Sequence, residues 1–144
     1  MMSQNKSKST QKKSKDSLKS STTTETNNFS IAEEVYKDVP ERLDHFKKQR
    51  EENGFDDTET WHLDKTLALF LIPRLERFIE VNNGFPSGET EESFNEKLNF
   101  ILKSFQQYYY GENEEVSLEL EKERVSNLKK AAAILGEIWF DLWW

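Results

Sequence analysis

The sequence has no cysteine among its 144 residues, and it has only three prolines and five glycines. Without cysteine there is no disulfide, no thiolate zinc ligand and no cysteine nucleophile, which is typical of proteins of a reducing cytoplasm. The most apolar stretch, 61–81, is interrupted by charged residues and is not a membrane span. The N-terminal lysines are not followed by the apolar segment of a secretory signal. A cytoplasmic protein without a membrane partner is therefore predicted.

Positive and negative charges are distributed unevenly along the chain. Residues 1–29 contain six lysines against two acidic residues, and the remainder contains 14 basic against 25 acidic residues. A tail of charge +4 therefore precedes a body of charge -11, which together give the net charge of -7.

The first 28 residues are mostly Ser, Thr, Lys, Gln and Asn, with almost nothing apolar. Such a segment cannot bury enough surface to offset its ordering entropy, so a disordered tail is predicted. Its lysines are either a solvated tail or an arm that contacts nucleic-acid phosphates weakly and without sequence preference. The lysines in question are Lys6, Lys8, Lys12, Lys13, Lys15 and Lys19.

Apolar residues recur at three- and four-residue steps between positions 61 and 81, which is the period of one helix face. Pro73 lies inside this stretch and lacks a backbone N–H, so the sequence predicts a kink or a break near 70–72. Thr60 is the predicted N-cap. The predicted core face consists of Leu63, Leu67, Phe70, Leu71, Leu75, Phe78 and Ile79.

Two further long helices are predicted beyond the loop 82–89, whose Phe85 is expected to pack back onto the core. One spans 90–110 with Gly111 as its C-cap, and the other runs from about Val116 to the terminus. The last helix has a heptad seam, which predicts coiled-coil-like packing in a bundle. The two predicted core faces are Phe94, Leu98, Ile101, Phe105 and Tyr108, and Val125, Leu128, Ala132, Leu135, Trp139 and Leu142.

A thinner helix is predicted before the central stretch. Ser30 and Glu33 fit a capping box at its start, and Asn53-Gly54 is a stop signal. Pro40 lies between its apolar residues, so the helix is either kinked or restarts with Pro40 in its first turn. Residues 29–144 are therefore predicted to form a single all-α domain, a small bundle of three long helices with this thinner helix packed outside.

The central stretch also carries a longer pattern. The series Trp61-x-Leu63-Asp64-x-x-Leu67-Ala68-x-x-x-Ile72-Pro73-Arg74-Leu75-x-x-Phe78 resembles a family of small bacteriophage proteins of unassigned function. The resemblance continues through the Gly84-Phe85-Pro86 turn to Phe140, Leu142 and Trp143, and it does not cover the first sixty residues. The chain has Phe94 where the family pattern has tryptophan. The resemblance implies a phage protein of the host cytoplasm, and it implies no catalytic residue.

Three features suggest interaction surfaces. Four aromatics in the last six residues cannot share one helix face, so they either plug the bundle end or form a docking patch. Three consecutive tyrosines end the helix 90–110, so at least one faces water or a partner. Six glutamates in 112–123 form either a surface that imitates nucleic-acid phosphates or a solvated helix start. The candidate interaction residues are Tyr109, Tyr110, Glu114, Glu115, Trp143 and Trp144.

No catalytic constellation is visible, and no cofactor or catalytic residue is predicted. His45 and His62 lie on different predicted helices, and no serine has the context of a nucleophile elbow. The leading hypothesis is a non-enzymatic phage accessory protein that contacts a host or phage macromolecule. One alternative is a nucleic-acid-associated protein that uses the basic tail. Another is a bundle with a carboxylate metal site, built from residues such as Asp64, Glu80, Glu92 and Glu96.

Overall fold

A computed structural model describes residues 29–111 and 117–143, and these residues form six α-helices, one 3-10 helix and no strand. The predicted all-α class with three long helices is confirmed. The predicted disorder of 1–28 falls outside the described residues. The helices are α1 Ala32–Val35, α2 Pro40–Asn53, α3 Thr58–Trp61, α4 Leu63–Val81, α5 Glu91–Tyr110, α6 Leu118–Glu137 and the 3-10 helix Trp139–Asp141.

The predicted N-terminal helix consists of two helices, because Pro40 occupies the first position of α2, where a missing N–H is harmless. The prediction of a capping box between Ser30 and Glu33 is wrong. The hydroxyl of Ser30 accepts the N–H of Ala32 at 3.2 Å and donates to the carboxylate of Asp56, far along the chain. The apolar face of α2 is thin, as expected, and its one buried side chain is Phe46.

Gly54 ends α2 with a left-handed backbone, at φ 82°, and its N–H donates to the Arg50 carbonyl at 2.9 Å. Because an L-residue is strained there, we expect Gly54→Ala to lower the free energy of unfolding by about 1–2 kcal/mol. Gly136 lies inside α6 with open space where a Cβ would be. Gly136→Ala should therefore raise that free energy by about 0.5–1 kcal/mol. Urea denaturation measures the free energy of unfolding of both variants. Shifts of the same sign for the two variants would contradict the left-handed backbone assigned to Gly54.

The central stretch does not form one helix from Thr60 onward. The backbone of His62, at φ -126° and ψ 67°, separates α3 from α4. The predicted N-cap role of Thr60 is wrong, because its hydroxyl donates to the Asp57 carbonyl at 2.8 Å inside α3. The ring of Trp61 packs edge-on against Tyr36 and Phe46, with centroids 6.1 Å apart in both pairs. Trp61 therefore belongs to the N-terminal part of the fold.

The long helix α4 continues through Pro73 without the predicted break. Pro73 is exposed, so its ring does not displace core side chains. One residue later, Nη1 of Arg74 donates to the Phe70 carbonyl at 3.0 Å, on the turn that the proline disturbs. The guanidinium also lies 3.9 Å from the centre of the Phe70 ring.

The helix α5 lies at the centre of the bundle, because α4 and α6 both pack against it. A capping box starts it: the N–H of Ser93 donates to the Thr90 hydroxyl at 3.1 Å, and the N–H of Thr90 donates to the Ser93 hydroxyl at 3.0 Å. The predicted core face of α5 is confirmed at its three most apolar positions. Phe94, Leu98 and Ile101 are all buried to within one per cent.

The packed face of α6 includes Leu135 and Leu142 of the predicted heptad seam and differs from that seam by one residue at two other positions. Ala131 and Ile138 are buried, whereas Ala132 is exposed and Trp139 is 60% exposed. Ala131 is fully buried in the core cluster that α5 and α6 share. The expectation that Phe85 packs on the core is also wrong, since it is 52% exposed.

One lysine links the loop before α5 to the end of α6. Nζ of Lys97 lies 3.0 Å from the Glu137 carboxylate and also contacts that of Glu89. The hydrogen bonds to Glu89 and Glu137 raise the pKa of Lys97. The contact sets the start of α5 beside the end of α6, so these two helices run antiparallel.

Candidate interaction surfaces

The chain leaves α6 at Glu137 and forms the 3-10 helix, so the predicted continuation of α6 to the terminus is wrong. Ile138 is buried and Leu142 packs against the core, and these two close the end of the bundle. The terminal aromatics, defined as Trp139, Phe140 and Trp143, are 60%, 86% and 75% exposed. Trp144 falls outside the described residues.

The tyrosines at the end of α5 form a second exposed group. Tyr110 is 60% exposed, and the ring of Tyr109 stands 5.0 Å from it at 84°. The expectation that one tyrosine faces outward is confirmed for Tyr110. Glu114 and Glu115 fall outside the part of the chain that the structure describes.

These two surfaces lie at opposite ends of the bundle. Arg124, near the start of α6, donates from Nη1 to the carbonyl of Gly111 at 2.8 Å, beside the tyrosines. The terminal aromatics follow the other end of α6, about 30 Å away for a 20-residue helix. The candidate residues from the two ends therefore do not form one site.

The four motif residues do not converge either. Trp61 packs edge-on against Phe46 in the N-terminal part, and Pro73 and Arg74 lie on the exposed side of α4. Asp64 accepts a hydrogen bond from the Tyr108 hydroxyl on α5. That hydrogen bond holds the pKa of Asp64 below its ordinary value. The motif residues have separate structural roles in this fold and form no common cleft.

A polar network that the sequence analysis missed lies beside a groove of about 500 Å³ near α1 and α2. Asp56 is 1% exposed, and its Oδ1 accepts the Thr58 N–H at 2.9 Å while its Oδ2 accepts from the Ser30 hydroxyl. In return, Oε2 of Glu59 accepts the Asp56 N–H at 2.9 Å. The sequence did contain a signal for this network, because Asp56-x-x-Glu59 has the spacing of a capping box.

The electrostatics of this network are those of a structural anchor. Nη1 of Arg50 lies 3.7 Å from Asp56 and 3.6 Å from Glu59. Burial by itself would raise the pKa of Asp56, but the hydrogen bonds from Ser30 and Thr58 and the charge of Arg50 together lower it. Within 29–111 and 117–143, no buried side-chain nitrogen or oxygen lacks a hydrogen-bond partner. The groove therefore offers a ligand no unsatisfied buried group.

Two of the four residues considered for a metal site, Asp64 and Glu80, are engaged elsewhere. Glu80 pairs with Arg77 at 2.8 Å, and Asp64 is bound to Tyr108. Among the described residues, no three His, Asp or Glu side chains lie close enough together to hold a metal ion. In the same residues, no helix is long and apolar enough to cross a membrane.

Comparison with known proteins returns no match to this chain, whether with protein-family models, with curated proteins or with solved structures. The resemblance of 61–144 to phage proteins stays a prediction.

Proposed function

We propose that this chain is a non-enzymatic accessory protein of a bacteriophage, which acts in the host cytoplasm by binding a host or phage protein. The observation that carries the proposal is the exposure of the terminal aromatics, Trp139, Phe140 and Trp143. The resemblance of the Trp61–Phe78 motif to small phage proteins supports the phage origin.

Three large aromatic side chains at these exposures present about 450 Å² of apolar surface, if each ring-bearing side chain has roughly 200 Å². An apolar patch of this size is within the range of the largest patch on a typical monomer, and such patches are often functional. Tryptophan is also enriched among the few residues that carry most of the binding energy in protein interfaces. The terminal aromatics therefore have the chemistry of a protein-docking surface.

The body around this surface is strongly acidic, with a charge of -11 outside residues 1–29. Charge complementarity speeds encounter with a basic partner and disfavours an acidic one. Part of this charge lies on the exposed carboxylates at the start of α6, Glu119, Glu121 and Glu123, at the opposite end of the helix from the terminal aromatics. We infer a partner that presents an apolar pocket on a neutral or basic surface.

The test is affinity capture from host lysate, followed by a binding measurement with the purified retained protein. Phe140→Ala combined with Trp143→Ala should weaken binding at least about 30-fold, because the loss of even one hot spot of about 2 kcal/mol has that effect. The helical circular dichroism should not change, because both side chains are exposed.

Leu118→Ala is the matched control, since Leu118 is 68% exposed at the other end of α6. The control should bind as the unaltered chain does. Equal binding by the double variant and the unaltered chain would refute this docking surface.

The second candidate, nucleic-acid binding by the basic tail, is tested by the same capture. It is favoured by the +4 charge of residues 1–29, and phosphate contacts through lysine need no defined fold. A chain that starts at Ser30 and a nuclease-treated lysate are run in parallel. Capture that persists both for the chain that starts at Ser30 and after nuclease treatment supports protein docking. Capture that is lost under either condition supports nucleic-acid binding by the lysines of the tail.

A further inference from the structure

Helices α1, α2 and α3 have a small core of their own, and we call residues 29–61 the N-terminal unit. Its buried apolar side chains are Ala32 and Phe46, each 4% exposed. The ring centre of Tyr36 lies 5.4 Å from that of Phe46 and 6.1 Å from that of Trp61, which completes the cluster. Within the described residues, the core cluster that joins α4, α5 and α6 contains no residue of this unit. The unit and the bundle therefore have separate cores.

The polar contacts of the N-terminal unit are internal as well. The N–H of Ile31 donates to the Thr58 hydroxyl at 3.1 Å, so the start of α1 is held against the start of α3. The N–H of Asp57 donates to Oε1 of Gln49 at 3.0 Å, which holds α2 against the same segment. The network around the buried Asp56 links the same three helices. Each of these bonds joins two parts of the unit, so none of them fastens it to the bundle.

The junction between the unit and the bundle is one exposed residue, His62, whose backbone is not helical, at φ -126° and ψ 67°. A hydrogen bond bridges this junction, from the Thr66 hydroxyl on α4 to the Glu59 carbonyl in α3, at 2.8 Å. The helix α4 starts directly after His62 and makes its core contacts with α5. The junction is therefore a place where the unit can separate from α4 without disturbing the core of the bundle.

The first half of α4 has apolar side chains that the N-terminal unit leaves uncovered. The sequence analysis placed them on the core face, but they are 53%, 56% and 48% exposed, for Leu63, Leu67 and Phe70 in that order. A helix packed along this side of α4 would bury them. The unit therefore does not extend the apolar core of the bundle along this side.

The N-terminal unit has few sources of stability. Folded segments shorter than about 40 residues usually need a disulfide, a metal or a partner. The chain has no cysteine, and Phe46 is the one large apolar side chain buried in the unit. Regions with few buried apolar contacts open at free energies well below that of global unfolding. The unit is therefore expected to be much less stable than the bundle.

We propose that the N-terminal unit opens cooperatively, as one segment, while the bundle of α4, α5 and α6 stays folded. Opening breaks the contacts inside the unit and the hydrogen bond between Thr66 and Glu59, but it breaks no contact of the bundle core. It also moves the point at which residues 1–28 are attached from Ser30 to His62. The length of chain that is free to move ahead of α4 then increases. The unit thus controls how far the lysines of the tail can reach from the bundle.

Amide hydrogen exchange of the full chain, resolved by residue with NMR, tests the proposal. Two amides report on the unit: that of Phe46 inside α2, and that of Asp56, whose N–H donates to the Glu59 carboxylate. The amides of Leu98 and Ile101 inside α5 report on the bundle. We expect the two amides of the unit to exchange at least about 100-fold faster, relative to unprotected amides, than those of the bundle. Equal protection in the unit and the bundle would overturn the proposal, because the chain would then open only as a whole.

Phe46→Ala tests whether the unit opens as one segment. Loss of a buried phenylalanine ring should raise the exchange rate of the Asp56 amide at least about 100-fold, or to the unprotected rate. The rates of Leu98 and Ile101 should stay within about 3-fold. Asp56 lies outside α2, so its acceleration reports cooperative opening and not fraying of that helix. Acceleration of the α5 amides by the same factor, or an unchanged rate for Asp56, would overturn the proposal.

Phe55→Ala is the matched control for this substitution. Phe55 lies in the same unit, next to Asp56, but it is 47% exposed. The same truncation there should change the exchange rates of the unit and of the bundle by less than about 5-fold. A control that accelerates the exchange of Asp56 as much as Phe46→Ala does would show that the core assigned to the unit is wrong, and the proposal would fail with it.

Discussion

Phe94→Ala is expected to lower the free energy of unfolding by about 3–5 kcal/mol, the largest effect of any single substitution considered for this protein. Phe94 is 1% exposed and lies in the cluster that joins α4, α5 and α6. Truncation removes the transfer free energy of the ring and leaves a cavity among Leu75, Leu98 and their neighbours, which relax only in part. The loss is a large fraction of the total stability of a small domain, which is about 5–15 kcal/mol.

Urea denaturation followed by circular dichroism measures this change. Phe85→Ala is the matched control, because Phe85 is 52% exposed in the loop before α5. The same chemical truncation there should change the free energy of unfolding by less than about 1 kcal/mol. Similar losses for both variants would mean that the burial assigned to Phe94 is wrong.

Asp56→Ala is expected to lower the free energy of unfolding by about 3 kcal/mol at neutral pH, because it leaves several buried polar groups without their partner. The groups affected are the Thr58 N–H and hydroxyl, the hydroxyl of Ser30 and the guanidinium of Arg50. Its exposed neighbour Asp57 accepts a hydrogen bond from Gln49 at 2.8 Å. Asp57→Ala should therefore change the stability by about 1 kcal/mol or less.

The same carboxylate makes stability depend on pH in a stated direction. The pKa of Asp56 is lower in the folded chain than its ordinary value of 3.8. Its stabilising contribution is therefore fully present above that value, and it is lost as the pH falls through the lower folded pKa. The stability difference between the unaltered chain and Asp56→Asn should shrink as the pH falls from about 5 toward 2.

Urea denaturation at a series of pH values measures this difference. The difference between the unaltered chain and Asp57→Asn serves as the reference for general acid effects. A difference for Asp56→Asn that grows on acidification would contradict the direction of its pKa shift.

Helix type and the core of α5 were predictable, because the period of Phe94, Leu98 and Ile101 is a local property. Leu135 and Leu142 on the packed face of α6 were predicted correctly, but two other positions were predicted one residue away, at Ala132 and Trp139. A heptad pattern defines a stripe only to within about one residue when apolar side chains flank it on both sides. The actual choice of Ala131 and Ile138 depends on how closely α5 approaches.

The apolar face of α4 was predicted as one surface, but it is two. The hydrophobic periodicity does not distinguish Leu67 from Leu75, because both recur at helical spacing. It also does not indicate how many other helices pack against α4. Only the tertiary arrangement shows that α5 covers one side.

The sequence by itself determined that the chain is helical and that its charge is divided between a basic tail and an acidic body, because each depends on spacing and composition within a few residues. The tertiary structure decided which apolar side chains are buried, which aromatics stay exposed and that Ser30 binds Asp56, 26 positions away. These depend on contacts between segments distant in sequence, and no local pattern specifies which of several similar faces a neighbouring helix will cover.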